Sequence, residues 1–354
     1  TSGGLLRSGN VALLIGGSAD FGRLTAGGTS GSVPLYVYNN QSTLSLNSRI
    51  IDNPAGGSVQ LVLSGAASTF NLGSTANSYS GGTVLNNVTL ALNNTGGVPV
   101  VPTGGLVLNS ATVTMTNNSG QIASGNTVTL NGPSTLTLLG NNTLANLILN
   151  NIGGNAPVVN TGGVLSLTSG SVTATSSNVY QSASLSTGAI DFGTSTGVFN
   201  VGAVLVGTQN VAPMLSTLTI AGAIRGTGGI TVTGGGVLQL NAMSGYTGTT
   251  LVGADSTLQY GLSASGSPAS ALVLATATSR LSLNNNSDDV GSLAGAGVVF
   301  NNSTTARTLT AGWDNTSTTF SGQFARFNDA TSYNNNLNFT KVGTGRTSNV
   351  TTMP

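Results

Sequence analysis

Eight aspartates are the only carboxylic side chains in the 354 residues, and two of them, Asp288 and Asp289, are neighbours. Two carboxylates on one face can serve as general acid and base on a glycosidic bond. Adjacent strand residues face opposite sides, so this pair can act together only in a turn, and Asn284-Asn285-Asn286-Ser287-Asp288-Asp289 reads as one. The surrounding asparagines favour plain corner and Asx-turn duty for it. Asp20, Asp52, Asp191, Asp255, Asp314 and Asp329 are widely separated along the chain. Glu, His and Cys are absent, which excludes a Ser-His-Asp triad, a thiol nucleophile and a His or Cys metal site. Lys341 and eight scattered arginines give a net charge of +1, without the concentrated positive field that a phosphate backbone requires. These residues predict no catalytic, cofactor-binding or metal site, no enzyme and no nucleic-acid partner.

Other motifs reduce to local structure in the same way. Gly253-Ala254-Asp255 lacks the calcium nonapeptide pattern, and Gly226-Thr227-Gly228-Gly229 and Gly295-Ala296-Gly297 have no following helix or Lys-Ser/Thr pair to hold a phosphate. Asn301-Asn302-Ser303-Thr304 contains a glycosylation sequon of the kind expected by chance in so Asn-rich a chain. Tyr79, Tyr246 and Phe320 each precede Ser/Thr-Gly. They are either exposed platforms for sugar rings or corner residues filling the core, and their recurrence favours the core. Thr112-Val113-Thr114 and Thr173-Ala174-Thr175 raise ice binding as a minor reading beside ordinary strand alternation.

The elements behind these residues are strands. Leu44-Ser45-Leu46, Val88-Thr89-Leu90-Ala91-Leu92, Val113-Thr114-Met115-Thr116 and Ile230-Thr231-Val232-Thr233 alternate apolar with small residues, and Gly or Asn follows closely. With 38% hydrophobic residues, 5% charged and a mean hydropathy of +0.22, disorder is excluded in favour of regular burial. No apolar run reaches the ~20 residues that span a bilayer, so this segment is expected not to cross a membrane.

Leu90-Ala91-Leu92-Asn93-Asn94-Thr95-Gly96-Gly97 recurs as Leu147-Ile148-Leu149-Asn150-Asn151-Ile152-Gly153-Gly154, and the similarity continues over 90–175 at an offset of about 57 to 59 residues. Divided by three, that offset predicts coils of about 19 to 20 residues. The expected fold is all-β: a right-handed parallel β-helix, one continuous β-solenoid over 1–354 forming a single elongated rod. About 16 to 18 coils at the ~4.8 Å strand spacing would make it roughly 80 Å long. Stacked Asn, Thr and Ser bond along such a ladder, whereas stacked like charges repel, which accounts for the composition.

A second repeat carries further landmarks. Residues 217–261 include Ile224-Arg225-Gly226-Thr227-Gly228-Gly229-Ile230-Thr231-Val232 and then Ser244-Gly245-Tyr246-Thr247-Gly248-Thr249-Thr250; residues 68–92 contain Asn77-Ser78-Tyr79-Ser80-Gly81-Gly82-Thr83; residues 291–346 contain Thr319-Phe320-Ser321-Gly322. These segments resemble the autotransporter-associated β-strand repeat of bacterial autotransporter passenger domains. The last copy departs from it, with a polar insertion at Gln323 to Asn336 and with Arg346 where an apolar strand usually continues. The resemblance implies a β-helical protein of the bacterial outer surface, secreted across the outer membrane.

Thr1 opens without a basic start and apolar stretch, Pro354 stops within a pattern, and no translocator barrel follows, so the sequence is expected to be a fragment of a longer protein. The expected function is a non-catalytic, extracellular structural or adhesive element mediating attachment or cell-cell contact, with a glycan or protein of a host or neighbouring cell as partner. The alternative is end-to-end or lateral self-association into a filament or biofilm matrix. A polysaccharide-active β-helix, like ice binding, ranks below both.

Overall fold

Alternation at period two becomes inward leucines and outward polar residues. In Thr89–Leu92, Leu90 and Leu92 are fully buried while Thr89 and Ala91 face outward, and Thr135–Leu138 follows the same pattern. A four-residue strand cannot stand alone, because only two of its side chains are apolar and inward. Parallel pairing with the next turn supplies the missing contacts: Leu44, Phe70, Leu90, Val113, Leu136 and Val159 form one inward column, each essentially inaccessible. Each such side chain contributes roughly 1.5–3 kcal/mol by leaving water.

The computed structural model describes residues 3–66, 68–186, 188–325 and 336–348. Among these the chain is all-β and without helix, a parallel β-solenoid of about 13 turns. It divides into two compact units, Thr1–Ser169 and Gly170–Pro354. In the first unit one sheet runs in order through Gly3–Arg7, Ser32–Asn39, Ser58–Gly65, Thr83–Asn86, Leu106–Asn109, Thr127–Asn131 and Asn142–Asn151. The opposite sheet runs from Leu13–Ile15 through Thr43–Leu46, Thr69–Leu72, Thr89–Leu92, Thr112–Met115 and Thr135–Leu138 to Val158–Thr161. The second unit repeats the plan, with Gly197–Val206, Ile230–Thr233, Thr250–Val252, Leu272–Leu274 and Leu293–Gly295 on one side. Leu218–Ile220, Val237–Leu240, Thr257–Tyr260, Arg280–Ser282 and Val298–Phe300 lie on the other.

Turn length differs from the uniform 19 to 20 residues expected. Asn131 and Asn150 are one turn and 19 residues apart, Asn86 and Asn109 are 23 apart, and Ser182 and Ser216 are 34 apart. The longest turn carries an antiparallel excursion, Leu205 pairing with Asn210 and Val206 with Gln209 around Gly207. Fewer turns therefore use the same chain length.

The repeat over 90–175 also has a different origin. Leu90 meets Val113 and then Leu136 one and two turns on, whereas Leu147 belongs to the opposite sheet. The offset is two and a half turns, not three. Both sheets require the same inward alternation bounded by the same corner residues, so sequence self-similarity does not distinguish them.

Buried amide side chains close the corners. Asn126 Nδ2 donates to the Pro102 and Ala123 carbonyls while its Oδ1 accepts the Gly105 amide. Gln121 does the same for Leu92, Asn118 and Asn94. Each replaces ladder bonds that the backbone loses at a bend, where an unpaired buried group would be costly. Gln323–Ala325 pairs with Val298–Phe300, and 326–335 of the expected polar insertion, Asp329 included, lie outside the described residues.

Candidate functional site

Apart from the adjacent Asp288 and Asp289, the described aspartates lie on different turns, and four of them bind serines of other segments rather than one another. Asp20 accepts Ser74 Oγ at 2.6 Å, Thr75 Oγ1 at 2.8 Å and the Thr75 and Ala76 amides at 3.1 Å. Asp52 accepts the Ser80 amide and hydroxyl at 2.9 and 2.7 Å, together with the Val59 amide. Asp314 accepts Ser292 Oγ at 2.7 Å, and Asp288 accepts Ser265 Oγ at 3.3 Å. These carboxylates staple one turn to another. Hydrogen bonds from Ser74 and Thr75, with Arg49 at 3.9 Å, hold the Asp20 carboxyl below its usual range. At Asp52 burial pushes upward, and the Val59 and Ser80 donors outweigh it.

Asp288 and Asp289 fall within the strand Asp288–Val290, not in the turn expected for them, which is confined to the residues before it. Asp288 is buried and Asp289 half-exposed on the opposite side, so the two carboxyls cannot attack one bond together. Asp288 receives the Ser265, Gly266 and Asp289 amides at 2.8 to 2.9 Å. Burial raises its pKa to about 6 against the pull of these donors. Asp191 caps its own bend through the Gly193 amide, and Asp255 sits exposed at a corner with φ 59°. Among the described residues no three carboxylates form a group able to hold a metal ion.

Tyr79, Tyr246 and Phe320 are all buried, at 1, 2 and 0% exposure, so none offers a platform to a ligand. Tyr79 Oη lies 2.7 Å from Thr83 Oγ1 and Tyr246 Oη lies 2.7 Å from Thr250 Oγ1, four residues on in both cases. The intervening Gly81 and Gly248 press against backbone of the preceding turn, where a Cβ at Gly81 would come within 2.6 Å of Val59. Desolvation raises both tyrosine pKa values. The repeated Tyr-x-Gly-x-Thr is a corner lock. Gly226–Gly229 joins Ala223–Arg225 to Ile230–Thr233 as a turn, and Asn301 is buried with its Nδ2 bound to the Thr305 and Asn336 carbonyls. Arg346 donates its amide to Ser317 Oγ.

What remains for contact is the outside of the sheets. On the sheet of the first unit that contains Thr43–Leu46, Thr43, Thr69, Thr89, Thr112 and Thr135 stack in register, and Thr114 stacks on Thr137. Thr173 lies instead in a strand of the second unit, in register with Asn200. On the other sheet of the first unit two outward columns run side by side. One is Gly4, Tyr36, Val62, Val84, Val107, Thr129 and Ile148, in which Val62 is buried; its neighbour is Leu6, Tyr38, Ser64, Asn86, Asn109, Asn131 and Asn150. Along the second column Asn86 Nδ2 donates to Ser64 Oγ at 3.1 Å, Asn109 to Asn86 Oδ1 at 2.8 Å, and Asn131 and Asn150 each to the previous Oδ1 at 2.7 Å. Tyr36 and Tyr38 are 49 and 40% exposed.

Sequence reasoning passed over these two tyrosines, although Val33-Pro34-Leu35-Tyr36-Val37-Tyr38 carries the signal. Its alternation buries Val33, Leu35 and Val37 and turns both tyrosines outward. The second unit has its own outward column, Val198, Thr231, Leu251, Val273 and Ala294, without an amide ladder in register beside it. No helix among the described residues is long and apolar enough to cross a membrane. The two columns headed by Tyr36 and Tyr38 are therefore the candidate contact surface, and comparison of the chain with family models, curated proteins and solved structures finds no match to any of them.

Proposed function

We propose that the chain is a non-catalytic structural and adhesive element of the bacterial outer surface, similar to an autotransporter passenger domain, that mediates attachment or cell-cell contact. The observation that carries this reading is the use of the polar side chains. Asp20, Asp52, Asp288, Asp314 and the corner amides are engaged in joining turns and the buried tyrosines in locking corners, which leaves outer faces of Thr, Asn and apolar residues as the contact surface. Uncharged faces suit contact at close range, since few ions must be desolvated. The Tyr79 and Tyr246 corners fall on the segments that carry the autotransporter resemblance.

Beads coated with the purified chain should adhere to bacterial cell layers or clump with cells in suspension, whereas beads coated with an unrelated β-rich protein should not. Equal behaviour of the two bead sets across a panel of bacterial and epithelial cells would sink the reading.

A further inference from the structure

We infer that the paired outward columns headed by Tyr36 and Tyr38 form a binding strip for an uncharged polysaccharide chain lying along the stacking direction of the first unit. The inference rests on the attachment function proposed above and names the chemistry of its partner. A pyranose ring has an apolar C–H face and a polar rim of hydroxyls. The strip presents both complements side by side: exposed Tyr36 with half-buried Val84, Val107 and Ile148 in one column, and the Asn86, Asn109 and Asn131 amides in the other. Tyrosine is suited to such a ring, offering a large rigid apolar face with a polar tip.

Four features favour a long, neutral ligand. Gly4 stands in register beside Tyr36 and has no side chain to cover its ring. Asn86, Asn109 and Asn131 each spend one N–H and one acceptor site on the ladder, and a primary amide retains a second hydrogen and a second lone pair for hydroxyls. Neither column contains Asp, Lys or Arg, so the strip matches an uncharged polymer and gives an anionic one nothing to pair with. Seven turns at ~4.8 Å make the strip about 29 Å long, room for several sugar units. The threonine column on the opposite sheet has no comparable apolar partner and no exposed aromatic ring in register.

Affinity electrophoresis in native gels containing hydroxyethylcellulose, galactomannan or arabinoxylan tests the assignment, with alginate as the anionic control. Retardation by at least one neutral polymer is expected, weakened tenfold or more in Tyr36→Ala/Tyr38→Ala and retained in Tyr36→Phe/Tyr38→Phe. Tyr180→Ala, at an exposed tyrosine of the second unit, should change nothing. Asn109→Ala checks the amide column separately and should weaken retardation without abolishing it. Mobility unaffected by all three neutral polymers, or retarded by alginate alone, overturns the inference, as does retardation indifferent to both tyrosines. A wild-type dimer that Tyr36→Ala/Tyr38→Ala converts to a monomer, without polymer retardation, assigns the strip to a second copy and overturns it too. Adhesion of coated beads despite any of these failures leaves the attachment function standing.

Discussion

The hydroxyl oxygen of Tyr246 lies 2.7 Å from that of Thr250, and Tyr79 and Thr83 repeat the pair at the same separation in the other unit. Thr250 is bonded onward to Ser270 Oγ at 2.8 Å, whereas among the described residues no such second hydroxyl supports Thr83. Tyr79→Phe should therefore cost about 1 kcal/mol and Tyr246→Phe somewhat less, while Tyr79→Ala should cost roughly 3–5 kcal/mol by emptying a buried site. Urea midpoints of the three variants check the order. A Tyr79→Ala variant as stable as the parent would contradict the corner-lock role.

Asp288 and the first-unit aspartates should respond to acid in opposite directions. The folded pKa of Asp288 is raised to about 6 from 3.8, so its contribution is fully present below pH 4 and is lost as pH rises through 6. Around Asp288 the second unit should gain stability on acidification from pH 7 to 4, by on the order of 2–3 kcal/mol at most. Asp20 and Asp52 are depressed, so what they contribute is present above about pH 4 and disappears below it. Hydrogen exchange read by segment at pH 7, 5 and 3, corrected for intrinsic rates, should show protection at 263–267 rising between pH 7 and 5, and protection at 74–80 falling only toward pH 3.

The asparagine ladder predicts a charge penalty that depends on adjacency. Asn109→Asp keeps an acceptor for Asn131 Nδ2 but faces Asn86 Oδ1 with a second acceptor, costing about 1 kcal/mol. Asn109→Asp/Asn131→Asp stacks two carboxylates at ~4.8 Å and should lose more than the sum of the single variants. Added salt should recover part of the excess. Additive single losses, insensitive to salt, would mean that the ladder does not couple neighbouring turns.

Two glycines three residues apart should behave differently. A Cβ at Gly248 would collide with the backbone of Gly228 and Gly229, whereas nothing lies within 4 Å of one at Gly245. Gly248→Ala should destabilise the second unit by about 1–3 kcal/mol as the turn is pushed outward. Gly245→Ala should be neutral, or stabilising by up to roughly 1 kcal/mol through the unfolded chain. Thermal midpoints decide between this contrast and equal effects.

The strand alternation, the glycine and asparagine corners and the parallel solenoid are legible in the residues, because each strand obeys its own period-two pattern. The stacking register is not. Leu90 and Leu147 look equivalent in sequence yet sit on opposite sheets, since both sheets ask the same of a strand. Tyr79 and Tyr246 stand out through repetition, and that repetition marks structure rather than binding. Tyr36 and Tyr38 occur once, and their importance depends on columns built from residues 19 to 32 apart along the chain. The roles of Asp20 and Ser74 are equally hidden, their partnership spanning 54 residues.

The amides of Asn86, Asn109, Asn131 and Asn150 all donate in the same direction, each toward the turn before it. Their dipoles consequently add rather than cancel, and each polarises the next. The outer face acquires a sense, with an acceptor-rich end and a donor-rich end, as an arrow painted along the stack would have. A polymer with distinguishable ends, laid head-first or tail-first along this face, would meet two different electrostatic landscapes and would settle in one of them.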